Sequence, residues 1–460
     1  MSTADTFAEP TIYLHIGAPK TGSTALQYFL MSNRDILAEN NVLYPILGEA
    51  EPIQHHVFIR PYCDPHPNDG IWSAGPQNRL KTERELRLAL DQEIVEKKAN
   101  KVLISSEVFF AHQAFFADYI NKESLAASAN KLLTGYDVKI IVYLRRQDHW
   151  LESCYGETIK GAHSASHLPI QEYLLYRDKK LLDYEYLLQP WSEAFGAENV
   201  IVRRYTKENL PNGIVPDFLE TIGLDPGLFG KSALKNAREN TSIDRDSLEF
   251  LRFLNRINHE LLEGERLTIP FRPEIIAKSG LSKKFNFLTL AERKSLLESV
   301  HESNNRISDL FIGDHKPLFS DNSIRDPAEE PYPGLSQEAL TLIFLQMVAD
   351  IWSLVNRLNA NKADMHDYKS LIALTDEMRA RIELIGKLFD EVNELKSCKA
   401  GVSDIELLLE RTKEIHNKIE RVSAENSMLS EQLALLSNDV HELRLPWIKR
   451  LRAMFVRKNI

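Results

Sequence analysis

The sequence predicts an α/β domain followed by an all-α region that ends in a coiled coil. Two observations carry the prediction. In the first part, short β-branched and apolar runs end in a turn or a charged residue and pass into helical spacing, as at 11–30, 139–153 and 199–224. Beyond residue 334 the strand-like runs stop, and apolar residues recur at helical and then heptad spacing.

The first unit begins with Thr11 to Ile16, an apolar segment suited to a buried strand, which Gly17 breaks. Ala18-Pro19-Lys20-Thr21-Gly22 continues neither strand nor helix, and Ser23 or Thr24 opens a helix carrying Leu26, Phe29 and Leu30 on one face. Free N–H groups at that helix start, the dipole, the hydroxyls of Thr21, Ser23 and Thr24, and the Lys20 ammonium together favour a bound phosphate. The nucleoside-triphosphatase loop has its lysine after the second glycine, whereas here Lys20 precedes Gly22. A glycine turn without a ligand is the plainer alternative.

The second unit, Lys139 to Ser153, again runs from an apolar strand into a helix, with Asp148 as a candidate cap. Arg145 stands at the strand tip. Ser153 follows eight residues later, about two helical turns on, where it can face the same ligand. Arginine's fork of donors matches phosphate oxygens bidentately. Arg146, one residue out of register, reads as a solvent-facing neighbour, and a charged strand end with no ligand is the alternative for the whole motif.

Pro19-Lys20-Thr21-Gly22-Ser23-Thr24 resembles the 5′-phosphosulfate loop of the sulfotransferases that use 3′-phosphoadenosine 5′-phosphosulfate (PAPS). Arg145 and Ser153 keep the spacing of that family's 3′-phosphate motif. A third segment, Asn199 to Leu210, followed by Phe218-Leu219 and Ile222-Gly223-Leu224, matches the family outline around Tyr205, although Thr206 and Lys207 replace the usual acidic neighbour. Asn240-Thr241-Ser242 before a helix from Asp244 to Asn258, and Asn304-Asn305-Arg306, look like elements of the bacterial carbohydrate branch, so the resemblance spans about residues 10–322. It implies a P-loop-like parallel sheet flanked by helices, with PAPS as co-substrate. Lys20 would contact the phosphosulfate bridge, Thr21, Gly22, Ser23 and Thr24 the 5′-phosphate, and Arg145 and Ser153 the 3′-phosphate.

Sulfuryl transfer to a hydroxyl needs a base. The run Lys101–Phe110 reads as a strand whose end carries Glu107 in an otherwise apolar setting, and apolar walls raise a carboxylate's pKa toward neutrality. A glutamate at a similar strand end is the base in the carbohydrate branch, so the resemblance assigns the role to Glu107; a structural carboxylate is the alternative reading. Histidine serves in other branches. His15, inside the first strand, reads as a satisfied core residue. His55 and His56 fall in the irregular stretch Tyr44–Asn78 with Arg60, Tyr62, His66 and Trp72, a mixture that suits sugar stacking and hydroxyl recognition or an ordinary polar loop. His56 and Arg60 are the substrate candidates. No histidine or cysteine spacing marks a metal site, and a sulfuryl group, less charged than a phosphoryl group, has less need of a divalent metal.

Composition fits a soluble protein: 460 residues, 43% hydrophobic, 27% charged. A net charge of −10 argues against a general nucleic-acid binder. Cys63, Cys154 and Cys398 are too scattered for a disulfide framework. Met1 to Pro10 has no apolar core, and no stretch has the apolar length of a membrane span, so the expected location is the cytoplasm and the expected relatives are bacterial rather than membrane-anchored Golgi enzymes.

The expected organisation is a domain over 10–322, a proline-rich linker at 323–334, a helical region at 335–400, a coiled coil at 401–445 and a basic tail at 446–460. Ile405, Thr412, Ile419, Asn426, Leu433 and Val440 form one heptad set, and Leu408, Ile415, Val422, Leu429, Leu436 and Leu443 the other. Leucine at the second set and the amide of Asn426 favour a parallel homodimer; a helix folded back on its own domain uses the same stripe. The tail after Pro446 mixes basic and bulky apolar residues suited to the inner membrane face, a partner helix or disorder. The expected acceptor is a hydroxyl on a glycan or glycolipid. The competing functions are a P-loop kinase-like nucleotide enzyme and a non-catalytic coiled-coil scaffold with a vestigial site.

Overall fold

The computed structural model describes residues 9–47, 53–58, 82–110, 125–161, 166–175, 179–230, 233–234, 244–260 and 286–320, with a few single positions up to 343. The chain divides into two compact units, Met1–Ile257 with Ser282–Leu335, and Asn258–Leu281 with Ser336–Ile460. The second lies almost wholly outside the described residues, as do the coiled-coil heptads, the basic tail, most of the linker, Asn240 to Ser242, and Arg60, Tyr62, His66 and Trp72.

Five strands form one parallel sheet: β1 (Thr11–His15), β2 (Val42–Leu43), β3 (Lys101–Ser105), β4 (Asp137–Leu144) and β5 (Val200–Arg204), in the order β2-β3-β1-β4-β5. Register is continuous across the centre, with Thr11 opposite both Lys101 and Asp137 and His15 opposite both Ser105 and Ile141. Parallel neighbours require crossovers. Helices α1 (Ser23–Ser32) and α2 (Arg34–Glu39) lead from β1 to β2, α3 (Glu83–Lys97) from β2 to β3, and α4 (Leu125–Leu132) precedes β4. Between β4 and β5 run α5 (Gln147–Lys160), α6 (Ile170–Leu175) and α7 (Tyr184–Phe195). After β5 come α8 (Ile214–Thr221), α9 (Arg245–Glu260), α10 (Leu290–Ser299) and α11 (His301–Ile307).

The strands read as nearly unbroken apolar runs because helices cover both sheet faces. Alternation assigns each residue a side. Ile12, Leu14, Ile104, Ile140 and Val142 pack with Leu90 of α3 and Leu188 and Trp191 of α7. Leu103, Ile141 and Tyr143 pack with Leu26, Phe29 and Leu30 of α1 and with Phe218 and Leu219 of α8. Each fully buried side chain of this size contributes about 1.5–3 kcal/mol. A separate cluster joins Leu151, Tyr155 and Ile159 of α5 to Tyr173, Leu248 and Phe287.

Two helix starts carry reciprocal capping boxes, Thr82 with Glu85 and Thr289 with Glu292. Asp148 is not the cap of α5. The capping position is Arg146, and Asp148 lies buried in the first turn between Arg146 and Arg293. The helix expected over Asp244–Asn258 runs over Arg245–Glu260.

Strand β1 is the hinge of the topology. The chain builds β2 and β3 on one side of it and β4 and β5 on the other, so the order reverses beside β1. In open parallel sheets a crevice opens there, outside the carboxyl ends of the strands. The loop 16–22, Ser106-Glu107, Arg145 and Tyr205 all follow directly from those strand ends.

Candidate active site

The loop from β1 to α1 has an unusual backbone. Gly17, Lys20 and Gly22 take φ of 53°, 68° and 84°, in the left-handed region that only glycine enters freely. Gly22 is the residue that caps α1. Cβ atoms added at Gly17 or Gly22 would press on neighbours, at 3.2 Å from Glu107 Cβ and 3.2 Å from Ile214 Cγ2 respectively.

Three successive carbonyls of this loop are taken by side-chain donors. Thr21 Oγ1 donates to Ala18 O at 2.6 Å, Trp150 Nε1 to Pro19 O at 2.9 Å, and Arg145 Nη1 to Lys20 O at 3.2 Å. Backbone amides of such a loop at a helix start can cradle an anion. Thr21 is fully buried and spends its proton on Ala18, so its hydroxyl is not the free donor expected of it. Ser23, also buried, reaches Ala18 O at 3.5 Å. Thr24 is exposed on the first turn of α1.

Arg145 comes off the end of β4 half-buried. Its neighbour Arg146 does not face solvent: it is buried and bonded to Asp148 at 2.8 and 2.7 Å. Arg293 bridges Asp148 at 2.6 Å and Glu152 at 2.9 Å, and Arg245 meets Glu152 at 2.6 Å. Burial pushes the Asp148 carboxyl up, but the Arg146 hydrogen bonds and the surrounding positive charges outweigh it and hold the pKa at about 2. For Glu152 burial prevails and the pKa is raised. This network fixes Arg146 inward. Arg145, the next residue along, reaches over the sheet edge to the loop, where Tyr184 also donates to its carbonyl. Tyr205, at the end of β5, places its hydroxyl 3.3 Å from where a Gly22 Cβ would sit.

Ser153 lies half-buried on α5. One turn further, Glu157 pairs with the Lys20 ammonium, which brings this face of α5 to the loop. Burial raises the Glu157 pKa, but Lys20 and Lys160 more than offset that and keep the group below its ordinary value. His149, one turn before Ser153, is held neutral with a pKa of about 4, first by burial and then by the nearby Arg146, Arg145 and Arg293, against the opposing pull of Asp148.

Glu107 follows β3 and packs against Gly17. Gln27, fully buried on α1, donates to Glu107 Oε2 at 2.8 Å and to Ser105 Oγ at 3.1 Å. Ser105 in turn lies 2.8 Å from His15 Nδ1. Burial lowers the His15 pKa to about 3, so the ring is neutral. The expectation of a satisfied core histidine holds for one nitrogen: among the described residues, His15 Nε2 and Gln27 Oε1 have no hydrogen-bond partner.

His55 is a structural residue, not a sugar contact. It is fully buried, accepts from Ser105 N at Nδ1 (3.0 Å) and therefore donates from Nε2 to Pro45 O (3.0 Å). Desolvation is the main reason its pKa falls to about 3. His56 is half-buried and lies 2.8 Å from the hydroxyl of Ser106, next in sequence to Glu107. Arg60, the other substrate candidate, lies outside the described residues.

The fold thus gathers Lys20, Thr21, Gly22, Ser23, Thr24, Glu107, Arg145, Ser153 and His56 on segments at the carboxyl edge of one sheet. Sequence reasoning missed Gln27, Trp150 and Glu157. Gln27 carries a signal, a polar residue beside Leu26 on the buried side of α1. Glu157 stands four residues after Ser153 on the same helical face. Trp150 carries no signal that separates it from a core aromatic. Asn304 turns out to pair with Gln147, at 2.7 Å, and Arg306 with Glu185 at the surface. Among the described residues no three His, Cys, Asp or Glu side chains group as a metal site, and no helix is long and apolar enough to cross a membrane.

No protein-family model matches the chain. Over 181 residues, 38% of this chain, it is 33% identical to an uncharacterized protein of Archaeoglobus fulgidus, and the match spans less than half, 46%, of that relative's length. Among solved structures it is similar, at a TM-score of 0.32 and 16% identity, to a sulfotransferase from Alicyclobacillus acidocaldarius, over 56% of this chain and 98% of the other.

Proposed function

We propose that this chain moves the sulfuryl group of PAPS to a hydroxyl of an acceptor, a carbohydrate or glycolipid, and releases adenosine 3′,5′-bisphosphate (PAP). The observation that supports it most is the loop with held carbonyls and left-handed backbone, onto which Arg145 reaches from the neighbouring strand. A cradle for one phosphate beside an arginine and a serine for another suits a nucleotide phosphorylated at both ends of its ribose. In this reading the loop amides and Thr24 receive the 5′-phosphate, and Arg145 and Ser153 the 3′-phosphate.

Transfer then breaks the bond between sulfur and the bridging oxygen of PAPS and forms one from sulfur to the acceptor oxygen. The acceptor proton passes to Glu107, whose Oε2 is anchored by Gln27. Lys20 neutralises the charge left on the phosphate oxygen. The chemistry asks for positioning and charge compensation, which side chains supply here.

Thermal unfolding with PAP, AMP, and ATP plus magnesium tests the reading. Ligand at about 100 times its Kd adds roughly 2.7 kcal/mol of stability, enough to rank the three. The expected result is stabilisation by PAP well above AMP, with Ser153→Ala losing about tenfold in PAP affinity and little for AMP. Ser153 suits the test because no hydrogen bond ties its hydroxyl to the described residues. A larger response to ATP and magnesium would favour the kinase reading, and no response to any nucleotide the scaffold reading.

A further inference from the structure

Lys20 already has a partner, and it is a carboxylate. Its ammonium meets Glu157 Oε2 on α5, and the same oxygen lies 3.0 Å from Lys160 Nζ. Both Glu157 and the two lysines are partly open to solvent, with side-chain exposures of 49% for Glu157, 29% for Lys20 and 31% for Lys160. Ser153, Glu157 and Lys160 follow one another at helical spacing, so Lys20 crosses to the helix face that carries Ser153. Its backbone, at φ 68°, sits where a residue with a Cβ is disfavoured, so the ammonium's position is set by what holds it at both ends.

From this geometry we propose that Glu157 and Lys160 are positioning residues for Lys20. In the ligand-free chain Glu157 holds the ammonium against α5. When a doubly phosphorylated nucleotide enters the loop, Lys20 turns to the anion and Glu157 stays with Lys160. One carboxylate shared by two lysines makes the exchange cheap, because Glu157 is never left without a cation. An exposed pair of this kind is weak, and a phosphate with its larger charge displaces it. The trio keeps a net positive charge before the exchange, which draws the anion in. The inference rests on the nucleotide reading above and adds two residues to it.

Calorimetric titration of the full chain with PAP tests it, in the parent, Glu157→Gln, Lys160→Gln and the double variant. Glu157→Gln is expected to tighten PAP binding about two- to fivefold, the scale of an exposed ion pair. Lys160→Gln is expected to weaken it by a similar factor, and that weakening should vanish when Glu157 is already Gln. Neither variant should shift the melting temperature without ligand by more than a degree or two. Unchanged or looser binding by Glu157→Gln overturns the inference, as does a Lys160 effect that persists undiminished in the double variant, which marks general charge attraction. A parent that binds no PAP sinks the nucleotide reading and this inference together; a parent that binds PAP with Glu157→Gln unaltered sinks the inference alone.

Discussion

Replacing three glycines by alanine, one at a time, separates backbone strain from steric contact in the loop that forms the site. Gly230 has no positive φ, and among the described residues an added Cβ meets nothing within 4 Å. Gly135, before β4, has φ 92° and equally open surroundings. Gly22 has φ 84°, and a Cβ there meets Ile214 Cγ2 at 3.2 Å and the Tyr205 hydroxyl at 3.3 Å. The same chemical change therefore meets neither penalty, one penalty, or both.

The magnitudes follow in order. Gly230→Ala only restricts the unfolded chain, so it leaves stability unchanged or raises it by about 0.4–1 kcal/mol. Gly135→Ala bears the left-handed cost alone, about 1–2 kcal/mol. Gly22→Ala adds about 1 kcal/mol for a neighbour that must give by a few tenths of an ångström, for a total of about 2–3 kcal/mol. At 2–4 °C per kcal/mol, Gly22→Ala melts roughly 4–12 °C below the parent. Denaturant titration and thermal unfolding measure all three variants. If Gly22→Ala is no less stable than Gly135→Ala, the tight packing of Tyr205 and Ile214 over the loop is refuted. If all three behave alike, the left-handed backbone itself is.

Removing the anchor of Glu107 by Gln27→Leu is expected to lower kcat for sulfuryl transfer at least tenfold while PAP affinity stays within about twofold, because the lost hydrogen bond is to the carboxylate and not to the nucleotide; a KM effect with kcat intact would assign Gln27 to binding instead. Acidification tests the buried histidines. His55 has an ordinary pKa of 6.5 and a folded value of about 3, so it is neutral when folded and takes up a proton on unfolding. Its stabilising contribution is complete above pH 6.5 and drains away as pH falls toward 3. Between pH 6 and 4 the stability of His55→Gln should fall less steeply than the parent's, by about 1.4 kcal/mol per pH unit, in urea titrations at a series of pH values; parallel slopes would mean that His55 is protonated in the folded chain.

The two central strands were readable from residues because burial on both faces leaves no alternation to misread, and their ends were readable because Gly17 and Arg145 break the apolar run at once. The order β2-β3-β1-β4-β5 was not. Strand β2 is two residues, Val42 and Leu43, too short for any period, and its place beside β3 follows from a backbone register with Lys101 and Val102 that no local pattern records. Asp148 and Arg146 were misplaced for a related reason. A carboxylate at the start of a helix reads as a cap, and an arginine one residue out of register reads as solvent-exposed. Asp148 pairs with Arg293, 145 residues away in sequence, and Arg146 bonds to Asp148.

The candidate site divides along the same line. Lys20, Gly22, Arg145 and Ser153 were singled out from sequence by a neighbour within eight residues, at a strand end or along one helix. Gln27, Trp150 and Glu157 take theirs from contacts 80, 131 and 137 positions away. These are the groups that fix where Glu107, the loop carbonyls and the Lys20 ammonium stand. A motif therefore specifies which groups can touch an anion, while the distant donors and acceptors decide how those groups are held before it arrives. Thr21 shows the consequence most sharply. Its motif position promises a hydroxyl for the ligand, yet the fold commits that proton to Ala18 O.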